Sequence, residues 1–369
     1  MATQRDYALA KKSADRRIDA PELPYRPRDP KRYHPPIGLI ACGGITAYHL
    51  RAYKAAGYDV VALCNPTEAK ARQRQKEFYP RAAVYTDHRE LLKRDDIEVV
   101  DIAAHPAERV RLITDALNAG KHVLSQKPFV TDLDVGHRLA DLADRKSRLL
   151  AVNQNGRWAP HFAYIRHAIA RGVIGQPIAA HLAVHWDHNW VQGTPFERVR
   201  HLVLYDFGVH WFDILCAFMG DKAPRRVFAS HAASPSQKVH PPLLGQALIE
   251  YDDAQATLAF DADTRFGKSD ETCIIGTKGA LRSTGPSLEK QKVTLHTNRG
   301  KASPALKGSW FRDGFHGTMA ELLLAVEQRR QPSNNARDNL NSLALCFAAC
   351  ASADRGQPIV PGTVRRLPG

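Results

Sequence analysis

Three side chains in this sequence are of types that move protons or stabilise developing charge: Lys127, Asp206 and His210. The last two lie in the run Tyr205-Asp206-Phe207-Gly208-Val209-His210-Trp211-Phe212-Asp213, four residues apart. On a helix that spacing puts carboxylate and imidazole on one face. The carboxylate would hold the tautomer of the histidine and raise its basicity, as a general base requires. An N-cap aspartate beside a core histidine is the structural alternative. Lys127 stands in Gln126-Lys127-Pro128, just past the strand-like run His122–Ser125. A lysine at the carboxyl end of a strand, fixed by a proline, points into the crevice where open α/β sheets bind ligands. His105-Pro106 follows Val99–Ala103 in the same way.

A second constellation suits an anion. In Ile37-Gly-Leu-Ile-Ala-Cys-Gly-Gly-Ile-Thr-Ala-Tyr-His-Leu50 a short apolar run stops at Gly43 and Gly44, and a helical pattern follows. The backbone N–H groups of Cys42, Gly43, Gly44 and Ile45 then lie at a strand-to-helix turn, where the helix dipole favours a pyrophosphate. The three slots of G-x-G-x-x-G read Ala41, Gly43 and Thr46, so the middle one alone carries glycine. Asn65 lies 65 − 43 = 22 residues on, near the spacing of roughly 20 expected for a ribose-reading residue. Its amide can bond a ribose hydroxyl yet does not repel a 2′-phosphate, and Thr67, Lys70 and Arg72 are close in sequence. An Asx turn before Pro66 is the other reading. The run from His181 to Trp190 holds His185, Trp186, Asp187 and His188, but adjacent residues of a strand face opposite ways and no metal-ligand spacing emerges. Sugar-contacting or structural roles are expected there, and no metal.

These groups need a scaffold. At 369 residues, with 44% apolar and 24% charged residues, the chain suits a globular protein of two domains. No apolar run nears the roughly 20 residues of a membrane span, and no apolar stretch marks a secretory leader. The net charge of +14 is spread without an aromatic-interleaved basic patch, which argues against nucleic acid and for a surface that attracts anionic cofactors. Six cysteines without C-x-x-C pairs read as reduced, buried thiols of a cytoplasmic protein. Residues 1–36, proline-rich from Pro21, read as an extended arm, either disordered or lying on a neighbouring subunit. Residues 37–155 alternate strand and helix, which predicts a doubly wound parallel sheet of Rossmann type. From 156 to 335 consecutive strand-like runs without intervening helices predict an α+β domain with a large, mostly antiparallel sheet. Residues 336–369 read as a helix and tail packing back on the body.

With these clusters in order, the chain resembles the Gfo/Idh/MocA family, the glucose–fructose oxidoreductase and inositol dehydrogenase group. The resemblance covers roughly 37–360 and rests on Ile37–Thr46, Val100-Asp101-Ile102-Ala103, Gly120-Lys121-His122-Val123-Leu124, Gln126-Lys127-Pro128, Asn153–Pro160 and Asp206–Asp213. It implies NAD, with NADP possible, held by Cys42, Gly43, Gly44, Ile45, Asn65, His105, Gln126, Lys127 and Asn155. It implies Lys127, Asp206 and His210 as the catalytic set, and a carbohydrate substrate touching Lys127, Arg157, Trp158, Trp186, Asp187, Asp206 and His210. It also implies a homo-oligomer, dimer or tetramer. Three positions depart from the family pattern: Ala41 replaces the usual first glycine, Gln126 the usual glutamate, and Asn65 the common aspartate. The expected activity is hydride transfer between NAD(P) and a sugar, polyol or cyclitol. The alternatives are a redox-neutral enzyme that cleaves or epimerises a glycoside with retained cofactor, and a dinucleotide-binding regulator without catalysis.

Overall fold

The computed structural model describes residues 16–369. Strands β1 (Ile37–Ile40), β2 (Val60–Cys64), β3 (Ala83–Tyr85), β4 (Val99–Ile102), β5 (His122–Ser125) and β6 (Leu150–Val152) alternate with helices. The helices are α1 (Thr46–Ala56), α2 (Glu68–Phe78), α3 (His88–Leu92), α4 (Pro106–Asn118) and α5 (Leu133–Arg145). Every strand pairing is parallel and the order is β3-β2-β1-β4-β5-β6. β1 is buried at all four positions, as a strand covered by helices on both faces must be. The order reverses between β1 and β4, so the crevice beyond their carboxyl ends is the natural ligand site. The glycine turn follows β1, and Lys127 follows β5.

The second half begins with α6 (Pro160–Ala170) and β7 (Pro177–His185). A single π-helical turn, Leu202–Phe207, then runs into α7 (Val209–Met219). Strands β8 (Arg226–Ala232), β9 (Leu244–Glu250), β10 (Gln255–Asp261), β11 (Ser269–Gly276), β12 (Gly279–Ser287), β13 (Lys290–Thr297) and β14 (Gly300–Ala302) complete an eight-stranded sheet. Its order is β14-β13-β12-β11-β7-β10-β9-β8. The β7–β10 pair is parallel and the other pairs are antiparallel. One face buries Leu182, Val184, Ile249 and Leu258, while Phe228 and Leu248, opposite each other on β8 and β9, stay exposed on the other.

Two long helices close the chain, α8 (Trp310–Glu327) and α9 (Ala336–Arg355). α8 belongs by packing to the first domain: Met319, Leu322 and Leu323 join Ile37, Leu39, Leu50 and Tyr53 in one core. A domain division by sequence position alone therefore cuts across the three-dimensional one. The arm also differs from expectation. From residue 16 on it is ordered along its own chain. Ile18 N–H bonds the Lys301 carbonyl at 3.0 Å, Leu23 is buried, and Glu327 accepts from the amides of Lys31, Arg32 and Tyr33. Prolines prevent internal hydrogen bonding, so the arm's polar groups bond to the body instead. Residues 1–15 lie outside the described part. Among the described residues no helix is long and apolar enough to cross a membrane.

Candidate active site

Lys127 and Asp206 meet across the domain boundary. Lys127 Nζ donates to the Asp206 carbonyl at 2.7 Å and lies 3.6 Å from its carboxylate Oδ2. Both side chains are part-buried. The segment carrying Lys127 is held from below by a residue the sequence did not flag. Arg109, on α4 and 1% exposed, donates to the carbonyls of Ala104, Lys127, Pro128 and Phe129. No carboxylate pairs with it; burial alone pulls its pKa down to about 10, still far above neutrality. It remains a cation satisfied wholly by backbone oxygens.

The expected Asp206–His210 pairing does not form. The residues between them are not a continuous α-helix, because Gly208 N–H reaches back five residues to the Val203 carbonyl at 2.8 Å. That wider turn rotates Asp206 towards Lys127, and no hydrogen bond joins it to His210 among the described residues. His210 packs edge-on against Trp310, ring centroids 5.8 Å apart, and its Nδ1 is buried without a partner. Burial, and then the positive charge of Lys127, hold its pKa well below the ordinary value, so the ring is neutral. Trp310 is in turn fixed by its indole N–H, which donates to Asn155 Oδ1 at 3.0 Å.

A second imidazole faces the same pair. His188, 4% exposed, stacks on Trp186 at 5.4 Å and leans on Phe207. Burial lowers its pKa to about 4; Lys127 acts in the same direction, and Asp206 and Asp187 oppose it. Its Nδ1 is buried and unpartnered too.

The glycine turn has the shape an anion needs. Ala41 takes the left-handed conformation, φ 74°, that glycine usually supplies. A Cβ on Gly43 or Gly44 would meet nothing within 4 Å, so the turn is open to an approaching group. The amides of Gly43, Gly44 and Ile45 make no hydrogen bond among the described residues, at the start of α1. Arg74, on α2 and not anticipated, fixes the turn by donating to the Gly43 carbonyl at 3.1 Å and Thr46 Oγ1 at 3.3 Å. Gln126 is buried with Oε1 lacking a donor. Free amides at a helix start, open glycines and an unmet acceptor beyond β5 fit a dinucleotide lying across the sheet edge.

Residues 36–154 match the oxidoreductase family described by its NAD-binding Rossmann fold, and residues 162–282 match the GFO/IDH/MocA C-terminal domain. The chain belongs to the Gfo/Idh/MocA family. It is an NAD-binding oxidoreductase by that membership. The chain is 25% identical to the D-apiose dehydrogenase of Paraburkholderia graminis, over 87% of this chain and 88% of that one. It is 28% identical to the 1,5-anhydro-D-fructose reductase of Ensifer adhaerens, over 87% and 96%. An Agrobacterium radiobacter oxidoreductase, solved with NAD+, L-tartaric acid and magnesium, shares the fold at a TM-score of 0.80, with 20% identity over 89% of this chain and 99% of that one.

Within this Gfo/Idh/MocA chain several residues expected at the ligands are committed elsewhere. Arg157 forms a two-pronged ion pair with Asp213, at 2.5 and 2.7 Å, and ties the turn after β6 to α7. Trp158 is 6% exposed, with Gly317 against it and the Arg166 guanidinium 5.6 Å from its ring, so it is core. Asp187 accepts from the backbone and side-chain amides of Asn189 and holds a turn. The Asn155 oxygen serves Trp310. Asn65 accepts from Cys42 N–H and donates to the Thr67 carbonyl, both at 3.0 Å, which is the Asx-turn reading with an added brace on the glycine turn. Trp186 lies at the aromatic wall beside His188, and His105 is exposed at the start of α4.

Proposed function

We propose that this protein transfers a hydride between NAD and a hydroxyl-bearing carbon of a sugar, polyol or cyclitol, with Lys127, Asp206 and His210 at the reacting carbon. The observation that carries this reading is the neutral, half-buried His210, which feels the charge of Lys127 in the Lys127–Asp206 pair, in a chain whose glycine turn is open. The nicotinamide supplies the hydride acceptor. His210 offers a lone pair to the substrate hydroxyl and takes its proton as the carbonyl forms. Lys127 places its ammonium against that oxygen and stabilises the charge it gains. Asp206 holds Lys127 in place through both its carbonyl and its carboxylate. Trp186 and Phe207, both part-buried, give apolar faces on which a sugar ring stacks. The names of relatives acting on apiose and anhydrofructose support the substrate class.

NAD is favoured over NADP, because no arginine directly follows Asn65 to clamp a 2′-phosphate, Arg72 pairs with Glu68, and Arg74 is shared among Gly43, Thr46 and Glu77. The protein is proposed to work in the cytoplasm, with all six cysteines as free thiols. The exposed Phe228–Leu248 face supports pairing with a second copy. The test is purified protein with NAD or NADP and a panel of aldoses, polyols and glycosides, followed by absorbance of reduced nicotinamide. Turnover of a polyol or aldose with stoichiometric reduced NAD is expected. Glycoside consumed over many turnovers without net reduced cofactor would overturn it. That second outcome is the redox-neutral reading, and one observation favours it: His188 offers a second neutral imidazole beside the same lysine.

A further inference from the structure

We propose that His201, His231 and Asp354 form a binding site for a divalent transition-metal ion, of which Zn2+ is the natural candidate. The three come from distant parts of the chain. His201 enters the π-helical turn, His231 lies on the edge strand β8, and Asp354 sits in the last turn of α9. One ligand atom from each lies within 4.8 Å of the others. His201 Nε2 is 3.1 Å from Asp354 Oδ2, and the two imidazole rings are 5.7 Å apart, inclined at 34°. Two imidazoles and a carboxylate are a borderline-soft donor set, and zinc takes such ligands at ~2.0–2.2 Å with water completing four. Small side-chain movements close the three donors to that radius.

The surroundings favour a cation. Asp354 adds its charge to the negative end of the α9 dipole. Arg200 answers part of that charge, bonding Asp354 Oδ1 at 3.0 Å from an exposed position, and leaves Oδ2 towards His201. The His201 side chain is 1% exposed and its Nδ1 has no partner. The sequence concealed the group, because its members are separated by 30 and 123 residues. An ion here would clamp β8 and α9 to the start of the π-helical turn, where the His201 carbonyl accepts from Tyr205 N–H at 2.7 Å. The site stands apart from the reaction proposed above, and its test does not depend on that reaction.

The experiment uses untagged full-length protein stripped of metal. Calorimetric titration with Zn2+ is expected to show one saturable equivalent, and Co2+ to give a visible absorption band of low-symmetry coordination. The unfolding midpoint is expected to rise with Zn2+. His231→Ala should lose at least tenfold in Zn2+ affinity while its metal-free midpoint stays at the wild-type value, since that side chain is only half-buried. Asp354→Asn, which keeps the shape, should lose affinity as well. Absence of a saturable equivalent in the wild type, or unchanged affinity in either variant, overturns the site and leaves a histidine–aspartate hydrogen bond.

Discussion

Burial and the Lys127 charge act on His210 in one direction, both penalising the imidazolium. A ring that resists protonation in the resting site has its lone pair ready for a substrate proton. His210→Ala and Lys127→Ala are therefore expected to lower kcat by about 10²-fold or more, within the range of general acid–base catalysis. Cofactor affinity, measured by calorimetry, should stay nearly unchanged; near-normal turnover in either variant removes that residue from the mechanism. Ala41 carries a different cost. Its left-handed backbone is unfavourable by ~1–2 kcal/mol for a residue with a Cβ, against ~0.4–1 kcal/mol of extra unfolded-chain entropy for glycine. Ala41→Gly should thus raise the denaturation free energy by ~0.5–1 kcal/mol, and a fall would show that the turn does not bear this strain. At this scale the sequence singled out Lys127, Asp206 and His210 as candidates, because their types are rare in useful combinations. It hid Arg109, and the bond from Trp310 to Asn155, because these depend on which carbonyl or indole lies opposite in space. The structural contacts of Arg157 and Trp158 were hidden for the same reason: an ion pair to Asp213 and a glycine contact on α8 are long-range facts.

Elements were legible wherever a periodic apolar pattern ran for four residues or more. β5 falls on the expected His122–Ser125, and β4 within one residue of the expected Val99–Ala103. β3, β12 and β14 were not anticipated. β3 and β14 are three residues each, and β12 is Gly-Ala-Leu-Arg-Ser-Thr-Gly-Pro-Ser, strand only because β11 and β13 pair with it on both sides. The π-helical turn was also invisible, since four-residue spacing reads as ordinary helix. Yet that turn decides where the Asp206 carboxylate goes. Gly208 makes it possible: a Cβ there would come within 2.6 Å of the Val203 carbonyl oxygen and 2.7 Å of that of Leu204. Backbone cannot yield as a side-chain tip can, so Gly208→Ala must distort the turn and shift Asp206 away from Lys127. Loss of kcat by more than tenfold is expected, with a smaller fall in unfolding midpoint, because the buried faces of α7 are untouched. Full activity in a folded Gly208→Ala protein would show that the five-residue bond does not position the pair.

The whole molecule couples these parts through helices and an arm that ignore the sequence order of domains. α8 completes the first core and also supplies Trp310 behind His210, so the cofactor domain and the reacting groups share one rigid element. The change of pattern near residue 155 was legible in the sequence, but this sharing was not, since it is a matter of docking. The same interior sets the response to acid. Burial holds His122, His167 and His188 at about 4 and His161 at about 3, with His201 and His210 also lowered. In the unfolded chain each titrates near 6.5. Below that pH the unfolded state takes up protons that the folded state refuses, so stability present above pH 6.5 is lost as pH falls towards 4. Asp270 works the other way. Burial raises its carboxyl to about 7, so between roughly 3.9 and 7 the folded state holds a proton the unfolded state lacks. It therefore gains stability as the pH falls. These histidines outnumber the one aspartate and leave acid destabilisation in excess, each neutral histidine costing ~1.4 kcal/mol per pH unit while fully buried. Urea unfolding at pH 7.5, 6.5, 5.5 and 4.5 should show free energy falling steeply below 6.5, by more than one proton per unit of pH. A flat profile between 6.5 and 4.5 would mean that these histidines reach water, and with it the neutral His210 on which the proposed proton transfer depends.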